Sequence, residues 1–337
     1  MTGRRVVETR RLGSAGPEIT RLGFGAWAAG GPWQFGWGSQ DDDASISAIR
    51  AAVEGGVGWV DTAAVYGLGH SEEVVAEALE PFDVGAEVLV FTKCGRNWYG
   101  SDGESIEYDL RPDSIRFECE QSLKRLGVER IDLYQFHWPD PVTGTQVEDS
   151  WSVISELIDE GKARWGGVSN FDVELLERCE AVRHVDSLQP PLSLLRRGAS
   201  DDVIPWCEKH GTGVIVYSPM ASGLLTGRFD YARVENLDEH DWRRGSEAFQ
   251  EPQFSRTMAL VERLEPIAER LGTNLPSLAI AWTLSVLGVT GAIVGGRNRE
   301  QVEAWLGAAD LSLSEEDLGE IELALDETGA GRTDPVS

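Results

Sequence analysis

Four residues, Asp61, Tyr66, Lys93 and His137, have types and spacing that could handle a proton. Asp61 closes the apolar run Gly58–Asp61 within W-V-D-T-A-A-V-Y-G, and Tyr66 follows before helix-like sequence resumes. Lys93 ends the run Val88–Lys93, and His137 ends Ile131–His137. A tyrosine ionises near pH 10, roughly three units too high for easy acid catalysis at neutrality. A neighbouring ammonium lowers that value, and an aspartate fixes the ammonium in place. Asp61, Lys93 and Tyr66 supply those parts, while His137 can hydrogen-bond the same substrate oxygen. The chemistry expected is proton donation to an oxygen that is becoming an alkoxide. Each residue alone has a blander reading: a turn aspartate, its structural lysine partner, a core histidine, a loop aromatic. Their joint placement on successive strand ends favours function.

Eight apolar runs read as strands: Leu22–Gly25, Gly58–Asp61, Val88–Lys93, Ile131–His137, Trp165–Ser169, Ser187–Gln189, Val214–Ser218 and Ala292–Val294. Helical spacing lies between them, as in Ile115, Cys119, Leu123, Leu126 and in Trp151, Ile154, Leu157, Ile158. Gly127 and Gly161 stand where helices should end. Alternating strands and helices imply a parallel sheet, and eight units imply a closed (β/α)8 TIM barrel over residues 1–337 as one domain. A hairpin from Val6–Leu12 through Gly13–Gly16 to Ile19–Thr20 should precede it. Two stretches, Gly95–Leu110 and Met220–Phe254, read as long irregular active-site loops. A doubly wound fold is the rival, since Gly23-Phe24-Gly25-Ala26-Trp27-Ala28 matches its glycine fingerprint. The following A-G-G-P-W-Q-F-G-W-G cannot open the helix that fingerprint requires, so the match fails.

Charge is the unusual bulk feature. The 337 residues carry 57 acids against 30 bases, a net charge of −27, and only Lys93, Lys124, Lys162 and Lys209 are lysines. Such a chain repels nucleic acid and anionic membranes, so neither is an expected partner. The blandest explanation is a hydrated, acidic surface suited to a salty cytoplasm. No run of about 18 apolar residues exists to span a membrane, and the N-terminus lacks a secretory signal. Cys94, Cys119, Cys179 and Cys207 are scattered, fitting a reduced cytoplasmic compartment. His70, His184, His210 and His240 have no ligand-like spacing, so no metal is assigned.

The motifs D-T-A-A-V-Y-G (61–67), T-K-C (92–94), D-L-Y-Q-F-H-W-P (132–139), G-V-S-N-F (167–171), Q-P-P (189–191) and Y-S-P-M-A-S-G-L-L-T-G (217–227), in that order, resemble the aldo-keto reductase family. The resemblance runs from about residue 9 to 327 and is nearest the bacterial branch that includes general stress reductases and the potassium-channel β-subunits. It implies a (β/α)8 barrel that binds NADPH, less often NADH, across its C-terminal mouth. By resemblance, Tyr66 is the general acid, Lys93 tunes it, Asp61 holds Lys93, and His137 orients the substrate. Ser169, Asn170 and Gln189 fall on the family's carboxamide contacts, and Tyr217 on the ring that stacks against the nicotinamide. Ser218, Pro219, Met220, Ser222, Gly223, Leu224 and Gly227 fall on the loop that wraps the pyrophosphate, where small residues let backbone N–H groups approach closely. Gly295, Gly296, Arg297 and Gln301 fall on the last cofactor segment. Arg297 suits the 2′-phosphate of NADPH, with helix capping as its alternative.

Aromatic candidates for the pocket rim are Trp27, Trp33, Trp37, Trp98, Tyr99 and Trp138, with Trp27 and Trp138 expected as substrate contacts. The lack of an evident cluster of pocket arginines argues against phosphorylated or carboxylated substrates. The expected function is NADPH-preferring reduction of small, uncharged aldehydes or ketones to alcohols. Two alternatives remain open: a cofactor-sensing regulatory protein like the channel β-subunits, and an NAD-dependent alcohol or polyol dehydrogenase. Oligomeric state is left undetermined.

Overall fold

A computed structural model describes residues 7–99, 105–238 and 241–332; it also leaves the Tyr99 side chain undescribed. Eight parallel strands close a barrel: Leu22–Gly25, Trp59–Asp61, Leu89–Cys94, Ile131–Phe136, Ala163–Ser169, Ser187–Gln189, Gly213–Tyr217 and Gly291–Gly295. Strands adjacent in sequence are adjacent in space, and the eighth closes on the first with Ala292 beside Leu22. All eight coincide with the predicted runs to within two residues. His137 lies one residue past its strand but still donates its N–H to the Cys94 carbonyl at 2.9 Å.

The pleat sorts side chains between two cores. Val60, Val90, Tyr134, Phe136, Val214 and Val216 face the surrounding helices. Trp59, Phe91, Leu133, Ile215 and Ile293 fill the barrel interior, with Leu12 and Ile19 joining them. Leu12 follows the first strand of the N-terminal hairpin and Ile19 lies in its second, where Thr9–Arg11 pairs antiparallel with Glu18–Thr20. Val6, the expected start of that hairpin, lies outside the described residues. The Trp59 indole donates to the Thr20 carbonyl at 2.8 Å, and a Cβ on Gly23 would lie only 2.3 Å from its ring. The floor is therefore apolar and tightly filled. One pleat further along, Asp61, Lys93, Gln135 and Gln189 take the interior positions. Cys94 faces outward into the helical layer and is buried.

Helices Asp42–Glu54, His70–Leu79, Pro112–Leu126, Val147–Asp159, Val173–Glu180, Val203–His210, Leu275–Ser285 and Arg299–Trp305 alternate with the strands, and Gln253–Arg270 and Glu315–Thr328 pack together beside the barrel. Gly127, left-handed at φ 66°, ends its helix with its N–H on the Leu123 carbonyl. Gly161, at φ 77°, follows the helix ending at Asp159.

One predicted loop is corrected. Within Gly95–Leu110, Arg96–Tyr99 pairs antiparallel with Ser105–Tyr108. Both strands are only four residues long, too short for a period-2 pattern to stand out. The other stretch, Met220–Phe254, is broken by short helical turns at Ala221–Thr226, Tyr231–Glu235, Trp242–Gly245 and Glu247–Phe249.

Candidate active site

Lys93 is only 1% exposed. Its ammonium pairs tightly with one carboxylate oxygen of Asp61 and donates to the Thr62 carbonyl at 2.8 Å. From there Nζ reaches the Tyr66 hydroxyl at 3.5 Å. On its other side the same hydroxyl meets His137 Nε2, also at 3.5 Å. The phenol, ammonium and imidazole thus converge on one point. Tyr66 is carried there by a turn in which Gly67, Leu68 and Gly69 have φ of 60°, 58° and 104°. That turn lies against Gly30, and a Cβ on Gly67 would sit 2.1 Å from the Gly30 carbonyl oxygen. Only glycine permits this approach, which seats Tyr66 against the Trp27–Gly30 turn.

The electrostatics differ from expectation in one respect. Burial raises the Tyr66 phenol well above 10, and the Asp61 charge raises it further. The neighbouring Lys93 does not reverse this direction. Burial, reinforced by Lys93 and Arg96, holds the His137 imidazole well below 6.5. At neutral pH the phenol therefore keeps its proton and the imidazole is neutral. His137 Nδ1 is buried with no partner among the described residues.

A buried amide pair behind Asp61 escaped the sequence reading in part. Gln189 donates from Nε2 to the second Asp61 oxygen at 2.9 Å, and Gln135 reaches that oxygen at 3.4 Å. Gln189 also reaches the Gln135 side-chain carbonyl at 3.3 Å. Gln135 sits beside Lys93 in register. Its position two residues before His137, on the inward face of the same strand, was the available signal. Above this layer the Tyr217 hydroxyl donates to Asn170 at 2.8 Å, Asn170 donates to the His137 carbonyl at 3.0 Å, and Ser169 donates to the Gln189 carbonyl at 2.7 Å.

A cavity of about 570 Å³ opens over these groups. Asp61, Tyr66 and His137 line one end, beside Ser169, Asn170, Gln189 and Tyr217. Ser218, Pro219, Met220, Ser222 and Gly223 continue the wall towards Gly295, Gly296, Arg297 and Gln301. Leu224 and Gly227 are not on it. Leu224 packs with Phe229, Phe249 and Phe254, and Gly227 closes a turn whose Cβ would meet Leu275 at 2.6 Å. The loop residues Ser218, Ala221, Ser222 and Gly223 all have positive φ, from 48° to 97°. Strain of that kind in non-glycine residues persists where a loop is shaped for a ligand. Arg297 donates to the Gln40 side chain at 2.7 Å and to the Ser39 carbonyl. The helix cap beside it is Asn298, which accepts from Gln301 at 3.0 Å.

Aromatic rings build the opposite wall. Trp27 stacks near Tyr66 (6.3 Å) and on Trp242 (5.6 Å), while Trp37 stands edge-on to Trp27 and Trp242. Trp33 lies 6.0 Å from Tyr66. Trp138 lines the rim and is 37% exposed. Trp98 is not on the cavity; its ring faces the Arg125 guanidinium. Trp242 was missed because it comes from the long loop after the seventh strand. So was Arg243, buried against Asp241 and lying over the Trp37 ring at 4.4 Å. The expectation of a pocket without arginines is overturned: Arg96, Arg228, Arg233, Arg243 and Arg297 all line the cavity. Loops from separate parts of the chain bring them together, which no local pattern reveals. His240 lies outside the described residues. Among those described, no three His, Cys, Asp or Glu side chains gather as metal ligands, and no helix is long and apolar enough to cross a membrane.

The aldo/keto reductase family model matches residues 21–326. The chain belongs to that family. It is accordingly a nicotinamide-dependent oxidoreductase acting on carbonyl or alcohol groups. It is 34% identical over 331 residues to the aldo-keto reductase YhdN of Bacillus subtilis (strain 168), covering 98% of this chain and 96% of that protein. It is 32% identical over 318 residues to the NADH-specific methylglyoxal reductase of Escherichia coli (strain K12), covering 91% and 94%. Among solved structures it superposes with a TM-score of 0.87 on the glycerol dehydrogenase of Gluconobacter oxydans, at 35% identity and 98% coverage of both chains.

Proposed function

We propose that this aldo-keto reductase reduces small aldehydes or ketones to alcohols, prefers NADPH, and uses Tyr66 as its general acid. The observation that carries the proposal is the convergence of Lys93 Nζ and His137 Nε2 on the Tyr66 hydroxyl, each at 3.5 Å, on the wall of the cavity.

The cavity suits a dinucleotide. Tyr217 offers a flat ring, Asn170 and Gln189 offer amides for a carboxamide, and the left-handed Ser218–Gly223 backbone can turn N–H groups towards phosphate. Gly295, Gly296, Arg297 and Gln301 would hold the far end. When bound, a reduced nicotinamide supplies the hydride that the protein's own side chains cannot. Tyr66 gives its hydroxyl proton to the substrate oxygen, an acceptor far more basic than a phenolate once it becomes an alkoxide. Neutral His137 can direct Nε2 at the same oxygen and fix its approach. Lys93 stabilises the phenolate left behind, and Asp61 keeps Lys93 charged and aimed.

A second reading, oxidation of a polyol with NAD, has specific support. Arg297 already spends two donors on Ser39 and Gln40, the Escherichia coli relative is named NADH-specific, and the Gluconobacter oxydans neighbour is named a glycerol dehydrogenase. Dissociation constants for NADPH and NADH separate the two. Phosphate recognition by Arg297 should make NADPH tighter by about tenfold or more, the scale of a charge-assisted hydrogen bond. Equal affinities, or tighter NADH, would sink the NADPH preference.

A further inference from the structure

Arg96 is a cavity arginine that the proposed mechanism leaves unexplained. It opens the hairpin after the third strand, in register with Tyr108, and its guanidinium lies 3.9 Å from the centre of the Tyr108 ring. Stacking of this kind fixes a guanidinium in place without using its donors. Both residues line the cavity that holds Tyr66 and His137, and the Arg96 charge acts directly on the His137 imidazole. Its Nη1 is buried and has no hydrogen-bond partner among the described residues. No carboxylate among the described residues pairs with it.

That isolation is notable in this chain. With 57 acids to 30 bases, carboxylates are abundant, and other arginines find them: Arg111 pairs with Asp109, Arg125 with Glu72, Arg164 with Asp132, Arg183 with Asp186 and Arg243 with Asp241. A partly buried guanidinium without an anion forgoes hydration and receives nothing in return. Its place in the fold also separates it from the dinucleotide segments. The residues suited to a cofactor follow the fifth to eighth strands, whereas Arg96 follows the third, beside His137 and Trp138.

We propose that Arg96, steadied by Tyr108, is an anion subsite of the substrate pocket, so that the preferred carbonyl substrate carries a carboxylate or phosphate group. The inference rests on the reductase reading of the same cavity and replaces the uncharged substrate expected from sequence. Guanidinium forks match both oxyanions, and the two sources differ in size and charge.

The test compares wild type with Arg96→Met and Arg96→Lys on matched pairs: 4-oxobutanoate against butanal, and glyceraldehyde 3-phosphate against glyceraldehyde. Wild type should favour one anionic member by about ten- to a hundredfold in kcat/KM, the factor a charge-assisted pair carries. Arg96→Met should abolish that ratio, mainly through KM, and Arg96→Lys should keep part of it. The pair that responds identifies carboxylate or phosphate as the source. Calorimetric titration with succinate and with inorganic phosphate reads the subsite without turnover. One of them should bind wild type and not Arg96→Met. A wild-type ratio near one, a ratio unchanged in Arg96→Met, or equal binding of both anions by the two proteins overturns the proposal. Binding that depends on Arg96 in a protein that turns over no carbonyl would instead overturn the reductase reading and leave the anion site standing.

Discussion

Replacing Tyr66 with phenylalanine should lower kcat for carbonyl reduction by about 10²–10⁴, the range for loss of a general acid, while the dissociation constant for the coenzyme stays near wild type. The ring is held by the Gly67 turn and by Trp27 and Trp33 rather than by its hydroxyl. The substitution therefore removes the proton and leaves the packing. His137 cannot take over, since burial and the nearby Lys93 and Arg96 keep it neutral. Steady-state turnover and a coenzyme titration on one preparation check both halves. Wild-type kcat in the variant would remove Tyr66 from the mechanism.

Lys93→Met should fail in two ways. Asp61 is 3% exposed, and without its ammonium it becomes a buried, uncompensated carboxylate. Breaking a buried pair from one side costs about 3–5 kcal/mol, which in a chain of 337 residues should lower Tm by about 4–7 °C. The amide donors of Gln189 and Gln135 offset only part of that loss. Turnover should fall as well, because the phenolate left by Tyr66 has no neighbouring cation. Adding Asp61→Asn to Lys93→Met should recover most of the stability, since the buried charge is gone, and none of the activity. Thermal melts and turnover of the two variants distinguish a tuning cation from a structural one. Recovery of turnover in the double variant would show that Lys93 serves the fold alone.

Much of this arrangement was legible because each barrel strand is a short apolar run ending in a polar residue. Asp61, Lys93, His137, Ser169 and Gln189 could be read off those ends without knowing any contact. Gln135 was missed because it lies one pleat below an end, where inward direction matters and sequence alone gives only alternation. Trp242, Arg243 and Arg96 were missed for another reason. Their positions depend on where the long loop after the seventh strand and the hairpin after the third come to rest, and long-range contacts decide that. The raised ionisation of Tyr66 depends on burial depth, which no spacing encodes. Arg297 shows the limit most plainly: its presence was visible, but its bonds to Ser39 and Gln40, on a loop far away in sequence, were not.

The most direct measurement is the pH dependence of kcat for carbonyl reduction at saturating coenzyme and substrate. Burial raises the Tyr66 phenol above 10 and pushes the His137 imidazole below 6.5. The acid is thus protonated below its raised value, and the histidine is neutral above its lowered one. The expected result is a flat profile from about pH 7 to 9. A one-proton fall centred near about pH 6.5 would contradict it, because the proton would then come from an imidazolium.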